Sequence, residues 1–252
     1  MIPRISVVII TLNEENYLPL LLGDLANQSD TDFEVIISDG RSEDKTKEKA
    51  LAFKDRLDLH FIPSPKRQVS FQRNLGAKNA KGEYLFFLDA DTRITKKYVI
   101  ERLKKHIVSD PQLLYLPVIA PGKNTLLNRI LFSFSINSVK ILQKLHKPMS
   151  IGPLIVMHRS LFEKLNGYDE KMTMAEDHNI VIRAYKAGYP GKFLDDVPVI
   201  YSMRRFEKKG SWKMTKDYAK YTLITLVKGG VYDKNINYAM GGQEFDKITE
   251  KK

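Results

Sequence analysis

Two aspartates, Asp89 and Asp91, follow the apolar run "YLFFL" (84–88) directly, with only Ala90 between them. On an extended segment, residues two apart project to the same side, so both carboxylates reach one volume past a small neighbour. Two hard oxygen ligands that leave most coordination positions open suit Mg2+ or Mn2+ shared with a substrate's phosphates. A solvated turn uses the same residue types, so the D-x-D spacing is a weak signal by itself. A second acid pair, Glu176 and Asp177, opens a helical pattern behind the turn "TMA". Capping accounts for one acid at a helix start, but not for its neighbour as well.

The elements that must position these acids are legible from the apolar pattern. "ISVVIIT" (5–11), "FEVIIS" (33–38), "LDLHFI" (57–62) and "YLFFL" (84–88) are short, β-branched or aromatic, and mostly uninterrupted by charge. Strands apolar on both faces belong to parallel sheets covered on both sides. Helical patterns lie between them at Glu14–Asn27, Glu43–Asp55 and Gln68–Lys81. This alternation predicts βαβ units and a doubly wound α/β core. In such a core, ligands bind outside the carboxyl ends of the strands. The first strand ends in "TLNEEN", the second in "SDGRSEDKT" and the fourth in "DADTR". The three polar clusters should therefore meet along one edge: the greasy strand is the mount, and the aspartates are what it presents. Further on, "LLYLPVIA" and "KFLDDVPVI" predict additional, antiparallel strands, and "AEDHNIVIRAYKAG" a helix stopped by Gly188.

Composition narrows the function classes. The 252-residue chain is 43% apolar and 28% charged, as expected of a globular protein. The absence of cysteine excludes disulfides, thiolate metal sites and cysteine nucleophiles, and fits a reducing compartment. No apolar run approaches the roughly 20 residues needed to span a bilayer, and "MIPRISVVII" reads as a first strand rather than a signal peptide. The longest apolar stretch, Leu126–Leu145, has helical spacing and is interrupted by Arg129 and Lys140, as in an amphipathic helix. A net charge of +11 favours phosphate-bearing partners, and seven basic residues lie between Arg204 and Lys220. One domain is expected over residues 1–228, with a loosely ordered tail over 229–252.

Four blocks in order carry a family resemblance. They are "SVVIITLNEENYL", "FEVIISDGRSEDKT", "FQRNLGAKNAKGEYLFFLDADT" and "GYDEKMTMAEDHNIVIRAYKAGY". Together they resemble the inverting family 2 glycosyltransferases of GT-A fold, across roughly Ile5–Arg205. Thr11 stands where that family often has proline. The resemblance implies a Rossmann-like, mostly parallel sheet flanked by helices. Its nucleotide-binding part would cover about 1–95, and a smaller mixed acceptor-side part about 96–228. It also implies transfer of a sugar from a nucleotide-sugar donor, a UDP-sugar foremost, to an acceptor hydroxyl with inversion.

Residue roles follow from the same resemblance. Thr11, Asn13 and Glu14 would line the base and ribose pocket, Asp39 would accept from a uracil ring nitrogen, and Arg73 and Asn74 would reach the base or phosphates. Asp91 would hold Mn2+ or Mg2+, with Asp89 nearer the ribose or a metal-bound water. Arg204 and Arg205 would bind the diphosphate, as arginine's planar fork allows. Asp177 would be the general base, with Glu176 beside it. His178 reads as a helix-surface residue, and His60 and His158 as structural.

Two rival classes remain at this level. A sugar-phosphate nucleotidyltransferase would share the architecture but needs a glycine-rich loop after the first strand, and "TLNEEN" has no glycine. A basic nucleotide- or nucleic-acid-binding protein needs aromatics interleaved with cations, whereas the aromatics of "YLFFL" belong to the core. No nucleic-acid partner is expected. The acceptor would be lipid-linked or a polysaccharide. The Leu126–Leu145 helix and the basic region suit a cytoplasmic protein seated on anionic membrane.

Overall fold

The structure, a computed structural model, describes residues 4–121, 126–150, 152, 154–202, 204, 216, 220–225 and 231–232. The chain alternates strand and helix through its first half: β1 (Ile5–Thr11), α1 (Leu18–Ala26), β2 (Phe33–Asp39), α2 (Thr46–Leu51), β3 (Asp58–Pro63), α3 (Val69–Asn79) and β4 (Tyr84–Asp89). There follow α4 (Val99–Ser109), β5 (Leu114–Pro121), α5 (Leu126–Lys144), β6 (Ile155–His158), α6 (Arg159–Lys164), α7 (Glu176–Lys186) and β7 (Lys192–Tyr201). The strands form one seven-stranded sheet in the order β3-β2-β1-β4-β6-β5-β7.

Period-two alternation divides the apolar strand residues between two cores. Val7, Ile9, Val35, Ile37, Phe86 and Leu88 pack on one face with Leu18, Leu21, Leu22 and Leu25 of α1 and Ile100, Leu103 and Ile107 of α4. Val8, Ile36, Leu85 and Phe87 point the other way, toward Ala77 of α3, Leu161 and Phe162 of α6, and Ile180, Val181 and Ala184 of α7. The central strands read as unbroken apolar runs because each face has its own layer of helices.

The expected antiparallel character of the later strands needs correction. β5 and β7 pair in parallel, and β6 alone runs against its neighbours, β4 and β5. The short β6 reverses direction so that β5 and β7 extend the sheet in the sense of β4. The doubly wound core, its first four strands and α7 stand where the apolar pattern puts them. The tail expected to be loosely ordered is seated at two residues: Val231 is buried, pairs with Met174 and accepts from Thr173 N–H, while Tyr232 donates to Asp169. The rest of the tail lies outside the described residues. Among the described residues no helix is long and apolar enough to cross a membrane.

Candidate active site

The first three polar clusters do meet at one edge. Parallel pairing sets Thr11 beside Asp39 and Ile10 beside Asp89, so the carboxyl ends of β2, β1 and β4 lie side by side. Beyond them the loops are laced together. Asn13, in the left-handed region at φ 55, accepts from Glu43 N–H at 2.8 Å through its side chain, and its own N–H donates to Ser42 Oγ at 2.8 Å. Glu14 N–H donates to Thr46 Oγ1 at 2.8 Å. These bonds stop α1 and α2 from starting as early as their helical patterns suggest: Glu14 and Glu43 belong to the loops. Asp39 is buried and accepts the Ser42 hydroxyl on one oxygen and Ser42 N–H on the other. A carboxylate has about four lone-pair sites, so each oxygen keeps acceptor capacity. Thr11 Oγ1 is buried with no hydrogen-bond partner.

Beneath this edge, α3 supplies three consecutive polar side chains with separate tasks. Gln72 ties the ends of β1 and β2 together, donating to Thr11 O at 3.0 Å and Ser38 O at 2.9 Å. Asn74 is spent on the loop before α7: its oxygen accepts from Tyr168 N–H at 2.8 Å, and its amide donates to Tyr168 O at 2.9 Å and Glu170 at 3.0 Å. This engagement gives Asn74 an architectural task, where a nucleotide contact was expected. Arg73 is 3% exposed and bridges the two acid motifs, bonding Asp89 Oδ1 at 2.9 Å and the carboxylate of Glu176. Burial works against the charge of this guanidinium, but the carboxylates of Glu176 and Asp89 outweigh it and push its pKa above the ordinary value. Its plane lies over the buried ring of Tyr168, 5.3 Å from the centroid.

A second arginine closes the other side. Arg204 grips both oxygens of Glu14, and its Nε lies 3.1 Å from Asp91 Oδ2. It also lies over the ring of Tyr17, at 4.5 Å. The burial that surrounds this cluster raises the Glu14 carboxyl to about 7, in spite of Arg204. Arg205, the other member of the expected phosphate-binding pair, lies outside the described residues, as does most of the basic run that follows.

The acid pair at the start of α7 is split by its surroundings. α7 begins after Ala175, which is left-handed at φ 63 and offers no side-chain cap, so Glu176 and Asp177 occupy the first turn itself. Burial raises the Glu176 carboxyl, with Arg73 opposing. Burial also acts on Asp177, but His178, Arg73, His178 N–H and the Ser150 hydroxyl together hold it below the usual range. Ser150 Oγ donates to Asp177 at 3.0 Å and lies 2.9 Å from His178 Nδ1. His178 is thus half-buried beside the acids and not the surface residue expected. Neighbouring titratable groups pushed in opposite directions are a common mark of acid–base chemistry.

Asp89 and Asp91 offer hard oxygen donors at the carboxyl end of β4, and the exit from this strand is fixed. Thr92 Oγ1 donates to Asp89 O at 2.8 Å, Arg93 forms a two-pronged bond to Asp24 at 2.6 and 2.8 Å, and the Arg93 backbone pairs with Ile200 of β7. Asp91 already faces a cationic group, so the chemistry of the donor set fits a divalent ion, with Arg204 as its competitor. Among the described residues, the cluster of three ligand types that does converge, Glu34, Asp58 and His60, lies elsewhere.

Gln72, Ser150, Tyr17 and Tyr168 join the site without having been singled out in the sequence. Gln72 directly precedes Arg73 in the block "FQRNLGAKNAKGEYLFFLDADT", a signal that was available. Ser150 is 27 residues from Asp177, and only the fold brings them together.

The family model for glycosyl transferase family 2 matches residues 6–166. Validoxylamine A glucosyltransferase of Streptomyces hygroscopicus subsp. limoneus is 36% identical over 109 residues, 42% of this chain and 24% of that protein. A PGL/p-HBAD biosynthesis glycosyltransferase of Mycobacterium bovis is 31% identical over 171 residues, 63% of this chain and 66% of that protein. This chain spans about a quarter of the first of these relatives. The mannosyltransferase PcManGT from Pyrobaculum calidifontis, solved with GDP-Man and Mn2+, superposes with a TM-score of 0.73 at 19% identity, over 99% of this chain and 69% of that one. Staphylococcus aureus TarS, solved with UDP-GlcNAc, gives 0.65 at 22% identity over 79% and 58%. These likenesses establish the GT-A type of fold. With its model matching well over half of the sequence, the chain belongs to glycosyl transferase family 2.

Proposed function

We propose that this protein transfers a sugar from a UDP-sugar to an acceptor hydroxyl with inversion at the anomeric carbon, and that Asp177 is the base. The observation that carries this reading is the buried Arg73 bridge. It links Asp89 of the D-x-D to Glu176, immediately before an aspartate held anionic, and so joins a phosphate-side motif to a proton acceptor in one rigid unit. As the acceptor oxygen bonds to the anomeric carbon, its proton passes to the Asp177 carboxylate, and the bond from that carbon to the diphosphate oxygen breaks. Ser150 and His178 N–H hold the Asp177 carboxylate in orientation, and Glu176 keeps Arg73 in register with Asp89. Asp39 favours uracil because its oxygens can accept a ring N–H, while Thr11 Oγ1 offers a buried hydroxyl that lacks a partner. Asp91, with Asp89, would hold Mn2+ or Mg2+, which supplies Lewis-acid stabilisation of the departing diphosphate. Arg204, released from Glu14, adds a two-pronged cation for the same charge.

Calorimetric titration with UDP and GDP, each with and without Mn2+, tests the donor side. UDP should bind more tightly than GDP, Mn2+ should strengthen it, and Asp91→Asn should erase the Mn2+ effect. Equal affinity for the two nucleotides would remove the role given to Asp39.

The acceptor side supports a lipid-linked acceptor and a peripheral seat on anionic membrane. Phe134 and Ile141 of α5 and Leu145 just past its end are more than half exposed, on a protein of net charge +11.

A further inference from the structure

The opposite end of the sheet holds a polar cluster that sugar transfer does not use. Parallel pairing sets Glu34 of β2 beside Asp58 of β3, with Ile36 beside His60, at the amino ends of both strands. Asp39 ends β2 five residues later, roughly 16 Å away along the strand. His60 Nε2 lies 3.0 Å from Asp58 Oδ1 and 3.9 Å from Glu34 Oε2, and the three ligand atoms fall within 4.8 Å of one another.

Each carboxylate is held from behind by one oxygen, leaving Glu34 Oε2 without a donor and Asp58 Oδ1 against His60 Nε2. Glu34 Oε1 accepts from Ser6 Oγ at 2.6 Å, from Gly82 N–H at 3.0 Å and from Lys81 N–H. Asp58 Oδ2 is bound by Arg4. The remaining Glu34 oxygen, Oε2, belongs to a side chain that is 0% exposed, and no hydrogen-bond donor reaches it. A buried carboxylate oxygen without a donor is costly and calls for a partner. A protonated His60 does not supply one, because 3.9 Å is beyond hydrogen-bond reach. A metal ion does. Ligands at about 2.0–2.1 Å around a tetrahedral ion stand roughly 3.3 Å apart, and the observed spacings of 3.0 and 3.9 Å bracket that edge. Donors behind the ligating carboxylates are the usual support of such a site.

We propose that Glu34, Asp58 and His60 form a divalent-cation site of zinc type that staples the edge strand β3 to β2, with the fourth position open to solvent. One nitrogen and two oxygens select Zn2+ over Mg2+, since imidazole suits the former. His60, expected to be merely structural, becomes a ligand.

The test uses the full chain stripped of metal and titrated with Zn2+ by calorimetry, with melting followed in parallel. Asp89→Asn combined with Asp91→Asn should still bind one Zn2+ per chain, and Tm should rise by about 5–10 °C at a hundredfold excess over the dissociation constant. His60→Ala in the same background changes an exposed side chain, leaves the buried Glu34 in place, and should weaken binding at least tenfold and cut the rise at the same Zn2+ concentration to about half or less. Zn2+ affinity unchanged by His60→Ala would overturn the site. So would loss of all Zn2+ binding in the Asp89→Asn, Asp91→Asn protein, because the ion would then belong to the D-x-D.

Discussion

Burial would raise the Asp177 carboxyl, but His178, Arg73 and Ser150 outweigh it and hold the group below the usual carboxylate range. Asp177→Asn removes the carboxylate proposed as proton acceptor but keeps the shape and the Ser150 contact. Turnover should fall by about 10²–10⁴ while UDP still binds, measured by steady-state kinetics beside nucleotide titration. Undiminished turnover would reassign the base. Glu14 makes a separate prediction about stability. Folded, its carboxyl keeps a proton up to about 7; its ordinary value is 4.5. The native state therefore binds more protons than the unfolded chain between these values, and stability declines as pH rises from 4.5 to about 7. Relative to Glu14→Gln, the wild type should lose at most about 3 kcal/mol across that window, read from denaturant melts at successive pH values. Parallel curves would mean that Arg204 already ionises Glu14 at low pH. The acids themselves are legible in the sequence, because paired carboxylates at strand and helix ends are a local signal. Their perturbations are not, because they arise from Arg73, Ser150 and Arg204, which are distant in sequence.

At the scale of elements, α3 does more than cross from β3 to β4: it carries Gln72, Arg73 and Asn74 under the strand ends. Its closeness to the sheet depends on Gly76. A Cβ placed there would stand 2.5 Å from Val8 Cγ1 in the middle of β1. Gly76→Ala should therefore push α3 outward and destabilise the fold by about 1–3 kcal/mol, the usual cost of overpacking. Calorimetric melting measures this, and an unchanged Tm would show that Val8 can turn aside. Because Arg73 moves with the helix, donor affinity should fall as well. The strands of this half were legible because unbroken β-branched and aromatic runs are rare outside buried sheets. Helix starts were not, since Glu14–Tyr17 and Glu43–Lys45 fit the helical pattern but are captured by loop contacts with Thr46, Asn13 and Arg204. β6 was hard to read for another reason. Its four residues carry no period long enough to reveal direction, and only pairing with β4 and β5 reverses it.

For the whole molecule, the question is where a protein of net charge +11 works. Phe134 and Ile141 on α5 and Leu145 just past its end recur at helical intervals and are 72%, 56% and 62% exposed. A stripe of this kind in water is unfavourable unless something covers it, and the excess of lysine and arginine makes an anionic lipid surface the complementary cover. The protein should co-sediment with vesicles containing phosphatidylserine and remain in solution with phosphatidylcholine alone. Raising salt from 0.1 M to 1 M shortens the screening length from about 10 Å to 3 Å and should release most of it. Phe134→Ser with Leu145→Ser should weaken the remaining association at least tenfold, since each removes apolar area that would enter the lipid boundary. These side chains are exposed, so the double variant should melt as the parent does, which separates lipid binding from folding. Sedimentation that ignores both salt and the double substitution, or none at all on anionic vesicles, would detach α5 from the membrane and leave a soluble acceptor as the better reading of the chain.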